Sequence, residues 1–374
     1  MKRLVGRRRL ALFLVLLLVA AVSWAVHGST VWVRGAREPL PDVILISIDT
    51  LRADHLGCYG YRAPTSPNLD RFRADSVLFT SEYAQAPATL PSHASLSTSL
   101  LPQHHNANHG WQQPLPASCL TLTQVLRQSG YRTASFNDGG QLDAKFGLDH
   151  GFQLYRSLYG DSFGPIVDSA VGYMEGLAGQ VQPMFLFLHT YEVHHPYTPT
   201  AANLARMEAP YTGRLPHAET TMDELTAIKE GRLAIDGRDL QHIVATYDGE
   251  IRAMDEAFGR LVAYLKQSGR YERTLIVFTS DHGEEFGEHG TVGWHAHTLY
   301  DELLHVPLLL KLPHGAHAGG TLLRLVRSLD VAPTVLAAVG RPVPKVFEGR
   351  DLLPFLDGDD GPPLFAISRR DSST

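Results

Sequence analysis

Short apolar runs recur along the chain and predict buried strands. Residues 42–49 and 184–189 are almost continuously apolar, which is typical of strands covered on both faces of a sheet. Further runs of apolar and β-branched residues predict strands at residues 77–80, 131–136, 273–280 and 306–312. The chain is therefore expected to contain a sheet whose strands are mostly buried.

Apolar residues at helical spacing predict helices between these strands. The longest is expected at residues 239–267, where Ile243, Tyr247 and further apolar side chains repeat every three or four residues. Residues 200–237 are polar, which predicts an irregular excursion over one face. Because strands and helices alternate, we expect an α/β fold with a mixed, mostly parallel sheet and helices on both faces. The other helices are expected at residues 67–76, 120–128 and 330–339.

The N-terminal segment has the pattern of an export signal. Residues 1–9 carry five basic side chains, and residues 10–26 run for 17 residues without a charge, the lower limit for a transmembrane helix. We expect an uncleaved anchor with a cytoplasmic N-terminus, a linker at residues 27–41, and one domain at residues 42–374 on the outer (periplasmic or extracellular) side of the cell membrane. The alternative is a signal peptide cleaved at Ser23-Trp24-Ala25, which would give a secreted protein.

Charge and composition limit the classes of partner that are expected for this protein. The 33 basic and 39 acidic residues leave a net charge of −6, without the basic excess of nucleic-acid-binding proteins, so no nucleic acid is expected. Two cysteines, Cys58 and Cys119, are too few for a disulfide framework. The 19 histidines cluster at residues 104–109, 189–195 and 282–297, which indicates a metal or phosphate-type site. A surface loop is expected to explain His104, His105, His314 and His317.

The run from Phe278 to Glu285 places two types of metal ligand at a strand end. Asp281 and His282 follow a predicted strand and precede a glycine-rich loop. Asp49 ends the first strand, so its carboxylate is expected at the same edge of the sheet. Three ligands from two strand ends can hold one divalent cation. A capping aspartate with a surface histidine is the alternative for Asp281 and His282 alone.

Thr89 is the candidate nucleophile. It lies two residues before Pro91, and proline favours the first turn of a helix, so Thr89 is expected at a helix N-terminus. There the free amides and the helix dipole favour negative charge. A hydroxyl on a metal ion at this place would lose its proton more easily and could attack an ester. A plain helix cap is the alternative.

Three segments of the chain carry a shared pattern: residues 49–60 with 67–70 behind them, residues 89–98, and residues 247–255 running into 280–284. In this order along the chain they resemble the sulfatase family of the alkaline-phosphatase superfamily. The resemblance implies a sulfatase-like catalytic domain with an alkaline-phosphatase-like fold and a short or missing C-terminal subdomain. It also implies one divalent metal ion held by Asp49, Thr89, Asp281 and His282.

The same resemblance gives roles to three further histidines. His194 matches a family histidine that contacts the oxygens of the ester. His295 and His297 fall where relatives place a lysine or histidine near the leaving group, and either could act as a general acid.

The chain departs from the family's usual pattern at the nucleophile. Ordinary sulfatases resemble Cys-x-Pro-Ser-Arg there and convert the cysteine to formylglycine, whereas this chain has Thr89 and, in the arginine position, His93. Threonine cannot give that aldehyde, so no formylglycine is expected. Thr50 replaces the family's second acidic ligand, and His282 stands where many sulfatases have asparagine. Imidazole favours zinc or manganese over calcium.

We therefore expect a metal-dependent hydrolase that cleaves a sulfate or phosphate ester of a glycan or lipid-linked substrate, with Thr89 as nucleophile. A threonine nucleophile resembles the phosphodiesterase and phosphoethanolamine-transferase branches, so a transferase acting on envelope glycolipid or polysaccharide is one alternative. A non-catalytic protein that binds an anionic glycan is another. The retained Asp49, Asp281 and His282 argue against it, because glycan binding needs no metal site.

Overall fold

The computed structural model describes residues 39–108, 113–160, 162–215, 218–359 and 361. The chain divides into two units, Met1–Leu40 and Pro41–Thr374, and the fold below belongs to the second. Three predicted parts lie outside the described residues: the basic segment, the anchor or signal peptide, and most of the linker. The residues after 361, which the expectation of a short or missing C-terminal subdomain concerns, also lie outside them. Within the described residues, no helix combines the length and apolar character that crossing a bilayer requires.

A mixed sheet is the framework of the second unit. Eight of the described strands form it in the order β10-β2-β9-β6-β1-β5-β3-β4, and β7 and β8 form a separate antiparallel pair. The strands are β1 (Asp42–Ile48), β2 (Val77–Tyr83), β3 (Arg132–Asn137), β4 (Leu154–Ser157), β5 (Met184–Thr190), β6 (Thr274–Ser280), β7 (Glu285–Phe286), β8 (Val292–Trp294), β9 (His305–Lys311) and β10 (Thr321–Arg327).

The strand directions confirm the predicted α/β class. β1 lies between β5 and β6 and is parallel to both. The pairs β3–β4, β3–β5 and β2–β10 are also parallel, whereas β9 runs antiparallel to β2 and β6. All seven residues of β1 are buried, as expected for a strand at the centre of a sheet covered on both faces.

Helices cover both faces of the sheet because alternate residues of a strand point to opposite sides. Ile44 and Ile46 of β1 pack into one core with the long helix α8. Ser47 faces the other side, where its Oγ lies 3.0 Å from Nε2 of His93 in α2. The described α-helices are α1 (Pro67–Phe72), α2 (Thr89–Thr98), α3 (Pro102–His105), α4 (Leu122–Gln128), α5 (Phe163–Gly176), α6 (Ala201–Met207), α7 (Met222–Lys229), α8 (Gly237–Gln267), α9 (Asp301–Leu304), α10 (Val331–Ala338) and α11 (Leu353–Leu356).

The prediction of irregular structure at residues 200–237 is wrong. This segment contains α6 and α7, which are seven and eight residues long and so too short to show a helical repeat in the sequence. Each begins at a threonine, Thr200 or Thr221, whose side chain accepts a hydrogen bond from a backbone N–H of the first turn. Capping rather than an apolar stripe therefore marks these helices.

Candidate active site

Asp49 and Asp281 emerge side by side from two neighbouring strands. The parallel register pairs Ile48 of β1 with Ser280 of β6, so the residue after each lies at the same edge of the sheet. Both aspartates are buried. Oδ1 of Asp281 accepts a hydrogen bond from the backbone N–H of Thr50 at 3.3 Å, which ties this carboxylate across the gap between the strands.

Asp49, Asp281 and His282 form a buried group with the chemistry of a metal site. One ligand atom from each lies within 4.8 Å of the others. Nδ1 of His282 donates to the carbonyl of Gly283 at 3.0 Å, which leaves Nε2 facing the site, 3.5 Å from Oδ2 of Asp281 and 3.9 Å from Oδ1 of Asp49. Those two oxygens accept no hydrogen bond from the described residues. A buried carboxylate oxygen without a partner is costly, so the residues present fit a divalent cation.

Thr89 is the first residue of α2 and lies against this group. Its hydroxyl donates to Oδ2 of Asp49 at 3.1 Å, and its Oγ1 is 3.4 Å from Nε2 of His282. The helix begins where the sequence predicted, and the side chain is almost fully buried. The structure therefore brings all four predicted metal ligands together.

The start of α2 offers fewer amides to an anion than expected. The N–H of Leu90 donates to Oε1 of Gln141 at 3.0 Å, and Pro91 has no N–H. Of the first three residues of α2, only Thr89 could therefore present its amide. The helix dipole remains, but the expected cradle of several amides does not.

Glu284 is a buried carboxylate around which three side chains are oriented. Its Oε1 accepts a hydrogen bond from Nδ1 of His295 at 3.0 Å, and its Oε2 lies 3.4 Å from Nδ1 of His195 and accepts from the Tyr197 hydroxyl at 3.1 Å. Sequence reasoning assigned no role to Glu284 or His195. The available signals were the position of Glu284 just after Asp281-His282-Gly283 and the doubled histidine before Pro196.

His194 and His295 adjoin the metal-site residues. Their ring centroids are 5.0 Å apart, and the ring of His295 lies 4.5 Å from that of His282. Burial lowers the pKa of His295 to about 4, against the opposing charge of Glu284. The imidazole of His295 is therefore neutral at pH 7 and keeps a lone pair. The structure thus places two of the predicted catalytic histidines next to the predicted metal ligands.

Family comparisons agree with this geometry. The family model described as Sulfatase matches residues 41–341. The chain belongs to the sulfatase family. Similar proteins include the multifunctional alkaline phosphatase superfamily protein PehA of Trinickia caryophylli, 29% identical over 84% of this chain and 77% of that protein. The N-acetylglucosamine-6-O-sulfatase of Bacteroides thetaiotaomicron is 24% identical over 86% of this chain and 72% of its own length.

A solved structure supports the same fold assignment. The phosphonate monoester hydrolase of Agrobacterium radiobacter superposes with a TM-score of 0.68 at 23% identity, over 86% of this chain and 78% of that protein. These findings confirm the resemblance to the sulfatase family and the alkaline-phosphatase-like fold. The family match and the sulfatase relatives also show that this protein is an enzyme that hydrolyses ester bonds.

His93 brings a neutral group to the place where the sulfatase motif has arginine. Its Nδ1 donates to the carbonyl of Thr89 at 2.8 Å, so its Nε2 accepts the hydrogen bond from Ser47. Burial and the neighbouring His189 lower the pKa of His93 to about 3. The positive charge that arginine gives to the ordinary sulfatase motif is therefore absent at this position. The imidazole of His93 instead links the start of α2 to β1 through its two hydrogen bonds.

His189 is a buried imidazole beside the site. Neither of its ring nitrogens has a hydrogen-bond partner among the described residues, and Nε2 lies 3.5 Å from Oδ2 of Asp49. One of its nitrogens also lies within 4.8 Å of ligand atoms of His93 and Asp281. The structure therefore places His189 against the site.

The two aspartates differ in proton affinity. Burial acts to raise the pKa of Asp49, but His189 and the charges of His282 and His194 outweigh it and hold that pKa well below its usual range. Burial and the negative charge of Asp49 raise the pKa of Asp281 to about 7. Paired buried carboxylates of this kind are the environment that a bound cation stabilises.

His297 and His105 lie elsewhere than the sequence suggested. Nε2 of His297 is 2.6 Å from Oε2 of Glu285 and 2.9 Å from Oγ1 of Thr291, and no contact among the described residues joins it to the metal-site group. The expectation that His105 lies on the surface is wrong, because it is fully buried and its Nε2 is 3.1 Å from Oγ of Ser95. A four-residue helix, α3, buries it, which a histidine-rich sequence alone did not indicate.

Proposed function

We propose that this sulfatase-family protein cleaves its ester with Thr89 as the attacking group and one divalent metal ion as cofactor. The observation that carries the proposal is the position of Thr89 Oγ1, which is within 3.4 Å of both Asp49 and His282 at the start of a helix. Asp49, Thr89, Asp281 and His282 would hold the cation, and the mixed oxygen and imidazole ligands favour zinc or manganese over calcium. When bound, the cation supplies positive charge that eases deprotonation of the hydroxyl and stabilises the developing oxyanion.

Thr89 and Asp49 would carry the first chemical step. The Thr89 hydroxyl already donates to Oδ2 of Asp49, so its proton has an acceptor along an existing hydrogen bond. Oγ1 forms a bond to the sulfur or phosphorus while the bond to the leaving oxygen breaks in line with it. The product is a sulfo- or phospho-threonine, which water then hydrolyses. No formylglycine takes part.

His194 and His295 would face the substrate. We assign His194 to the non-bridging oxygens of the ester and His295 to the side of the leaving oxygen, as the resemblance to the family implies. His297 receives no role because it is engaged with Glu285 and Thr291. Of the two histidines expected as the general acid, only His295 lies next to the metal-site residues, so the role is assigned to His295.

The substrate class follows the names of the relatives. N-acetylglucosamine-6-O-sulfatase supports a sulfated sugar, and the phosphonate monoester hydrolase supports a phosphorus ester. We propose a sulfate or phosphate ester on a glycan or lipid-linked glycan. We also propose that residues 10–26 anchor the enzyme so that catalysis takes place outside the cytoplasm. N-terminal sequencing of the protein from its native host tests this, since a mature start near Val26 would instead indicate cleavage and secretion.

The binding-only alternative has no support in the site. It leaves unexplained why Oδ1 of Asp49 and Oδ2 of Asp281 are buried without a hydrogen-bond partner among the described residues. The transferase alternative shares the first half of the mechanism and differs only in whether water or an alcohol removes the group from Thr89.

The test combines substrates with variants. Paired aryl sulfate, phosphate monoester and phosphodiester substrates are assayed with zinc, manganese or calcium, and an adduct trapped with a slow substrate is located by mass spectrometry. The adduct should lie on the peptide that contains Thr89. Thr89→Ala should lose several orders of magnitude in turnover and Thr89→Ser should keep part of it. Near-full activity of Thr89→Ala, or an adduct elsewhere, would overturn the mechanism.

A further inference from the structure

The turn after β3 brings Gln141 to the start of α2. β3 is parallel to β5, so the residues that follow these two strands lie at the same edge of the sheet. The backbone N–H of Gln141 donates to the Tyr191 hydroxyl at 3.1 Å, and its side-chain Oε1 accepts from the N–H of Leu90 at 3.0 Å. Gln141 is therefore held by two hydrogen bonds directly beside the residue that follows Thr89.

Two glycines allow this turn to approach the site closely. Gly139 and Gly140 have φ angles of 77° and 61°, which are in the left-handed region. A Cβ atom at Gly140 would lie only 2.9 Å from the hydroxyl oxygen of Tyr191. The ring of Tyr191 packs edge-on against that of His194, with centroids 5.6 Å apart. Gln141 thus contacts both the start of α2 and the tyrosine that packs against His194.

Half of the Gln141 carboxamide has no partner. A backbone N–H can only donate, so the atom that faces Leu90 is the oxygen, and the NH₂ group is the other atom, Nε2. Nε2 makes no hydrogen bond to the described residues, and the side chain is partly exposed. Because Oε1 and Nε2 are bonded to one carbon, two N–H groups lie near the start of α2. The side chain therefore takes up one backbone amide and offers two donors.

We propose that Nε2 of Gln141 donates a hydrogen bond to a non-bridging oxygen of the transferred sulfate or phosphate group. Gln141 has this role only if the protein cleaves such an ester, as proposed above. Both ring nitrogens of His93, in the arginine position, are engaged with Thr89 and Ser47, so His93 has no N–H to give. A carboxamide donor can stabilise developing negative charge as a backbone amide does.

A purely structural role for Gln141 gives the opposite order of variant effects. If the side chain only caps the N–H of Leu90, Gln141→Glu keeps the acceptor and should resemble the wild type, whereas Gln141→Leu should be impaired. If Nε2 contacts the transferred group, Gln141→Glu replaces the donors by a negative oxygen that faces the anion. Gln141→Glu should then be the more impaired of the two.

Equilibrium binding of inorganic sulfate and phosphate tests the proposal without turnover. Isothermal titration in the Thr89→Ala background makes the readout independent of the nucleophile. Gln141→Leu should weaken binding by about 10–100-fold, the usual effect of losing a hydrogen bond to a charged group, and Gln141→Glu should weaken it further. The titrations are repeated in about 1 M sodium chloride, where the Debye length of about 3 Å removes long-range repulsion by the new carboxylate.

Gln128→Glu in the same background is the matched control, because Gln128 is exposed at the end of α4 and receives the same charge. It should leave the affinity for both anions unchanged. Circular dichroism and thermal unfolding show whether each variant is folded.

Three outcomes would overturn the role of Gln141. They are a smaller loss of affinity in Gln141→Glu than in Gln141→Leu, a loss in Gln141→Glu that disappears at high salt, and a Thr89→Ala protein that binds neither anion. Near-full activity of Thr89→Ala with the expected order of anion affinities would instead refute the mechanism and leave Gln141 as a contact of the transferred group.

Discussion

The hydroxyl of Thr50 donates a hydrogen bond to the carbonyl of Val193 at 3.0 Å. Thr50 stands where the sulfatase pattern has a second acidic metal ligand. The hydroxyl is therefore engaged with the loop that leads to His194 and His195. Thr50 also has a φ of 54°, a left-handed conformation that is unfavourable for a β-branched residue. The chain thus has an unusual backbone geometry at this position without the acidic ligand.

Restoring an acid at this position should change the metal preference. Thr50→Asp adds a hard oxygen ligand, so the affinity for calcium should rise relative to zinc by about tenfold, or about 1.4 kcal/mol. Isothermal titration of the metal-free protein with each ion measures the ratio. Thr50→Asn is the matched control, because it fits the same backbone but adds no charge. An unchanged calcium-to-zinc ratio in Thr50→Asp would show that residue 50 does not reach the ion.

Removing the Asp281 carboxylate should abolish metal binding at Asp49, Thr89, Asp281 and His282. Asp281→Asn keeps the shape of the side chain but loses the charge that a cation requires, so activity should fall with the metal content. Elemental analysis after gel filtration gives the stoichiometry. Asp255→Asn is the control, since Asp255 is also buried but caps α1 through Asn68 and Leu69. One full equivalent of metal in Asp281→Asn would contradict the assignment.

Glu250 should make the protein less stable as the pH rises. Burial and the charge of Glu192 raise the pKa of Glu250 to about 8, and its Oε1 accepts a hydrogen bond from the N–H of Thr198 at 2.6 Å. Between the pKa of the unfolded chain, about 4.3, and this value, the folded state holds a proton that the unfolded state has released. The free energy of unfolding therefore falls as the pH rises through this window.

Glu250→Gln should reduce that fall because glutamine keeps the acceptor and does not ionise. Urea unfolding at about pH 5, 7 and 9 measures it, with the exposed Glu175→Gln in α5 as the control. If wild type and Glu250→Gln lose equal stability over this range, Glu250 is not the group responsible.

The core beneath the site should be sensitive to truncation. Phe278 of β6 is fully buried and its ring packs edge-on against Phe258 of α8 at 5.3 Å. Phe278→Ala should lower the free energy of unfolding by about 3–5 kcal/mol through lost burial and the cavity left behind. Leu323→Ala, at an 80% exposed position on the edge strand β10, should change it by less than about 0.5 kcal/mol. Chemical denaturation of both variants measures the free energy of unfolding. Similar losses of stability in the two variants would contradict this account of the core.

The framework was predictable from sequence because it depends on strong local signals. The structure has strands β1, β5 and β6 where the continuous apolar runs predict them, close to the expected bounds. It also has the helix α8 where the helical repeat predicts it. The strand-end rule then placed Asp49 and Asp281 at one edge, and the proline two positions later placed Thr89 at the start of α2.

The histidine environment was not predictable in the same way. Whether His195 and Glu284 meet depends on how the loop after β5 folds against the loop after β6, and a single sequence carries no signal for that distance. His105 shows the same limit, since burial by a helix of one turn leaves no repeat to detect. Short capped helices such as α6 and α7 were not predicted, for the same reason.

The pairing of Ile48 with Ser280 between the parallel strands β1 and β6 has a consequence for how the enzyme matures. The spacing of Asp49 and Asp281 is set by backbone hydrogen bonds between β1 and β6, which form when the sheet folds. The proposed cation would therefore be loaded after folding and exchanged without rebuilding the scaffold. A host that limits one metal could supply another to finished protein, so the ion in the isolated enzyme would record availability as well as intrinsic preference.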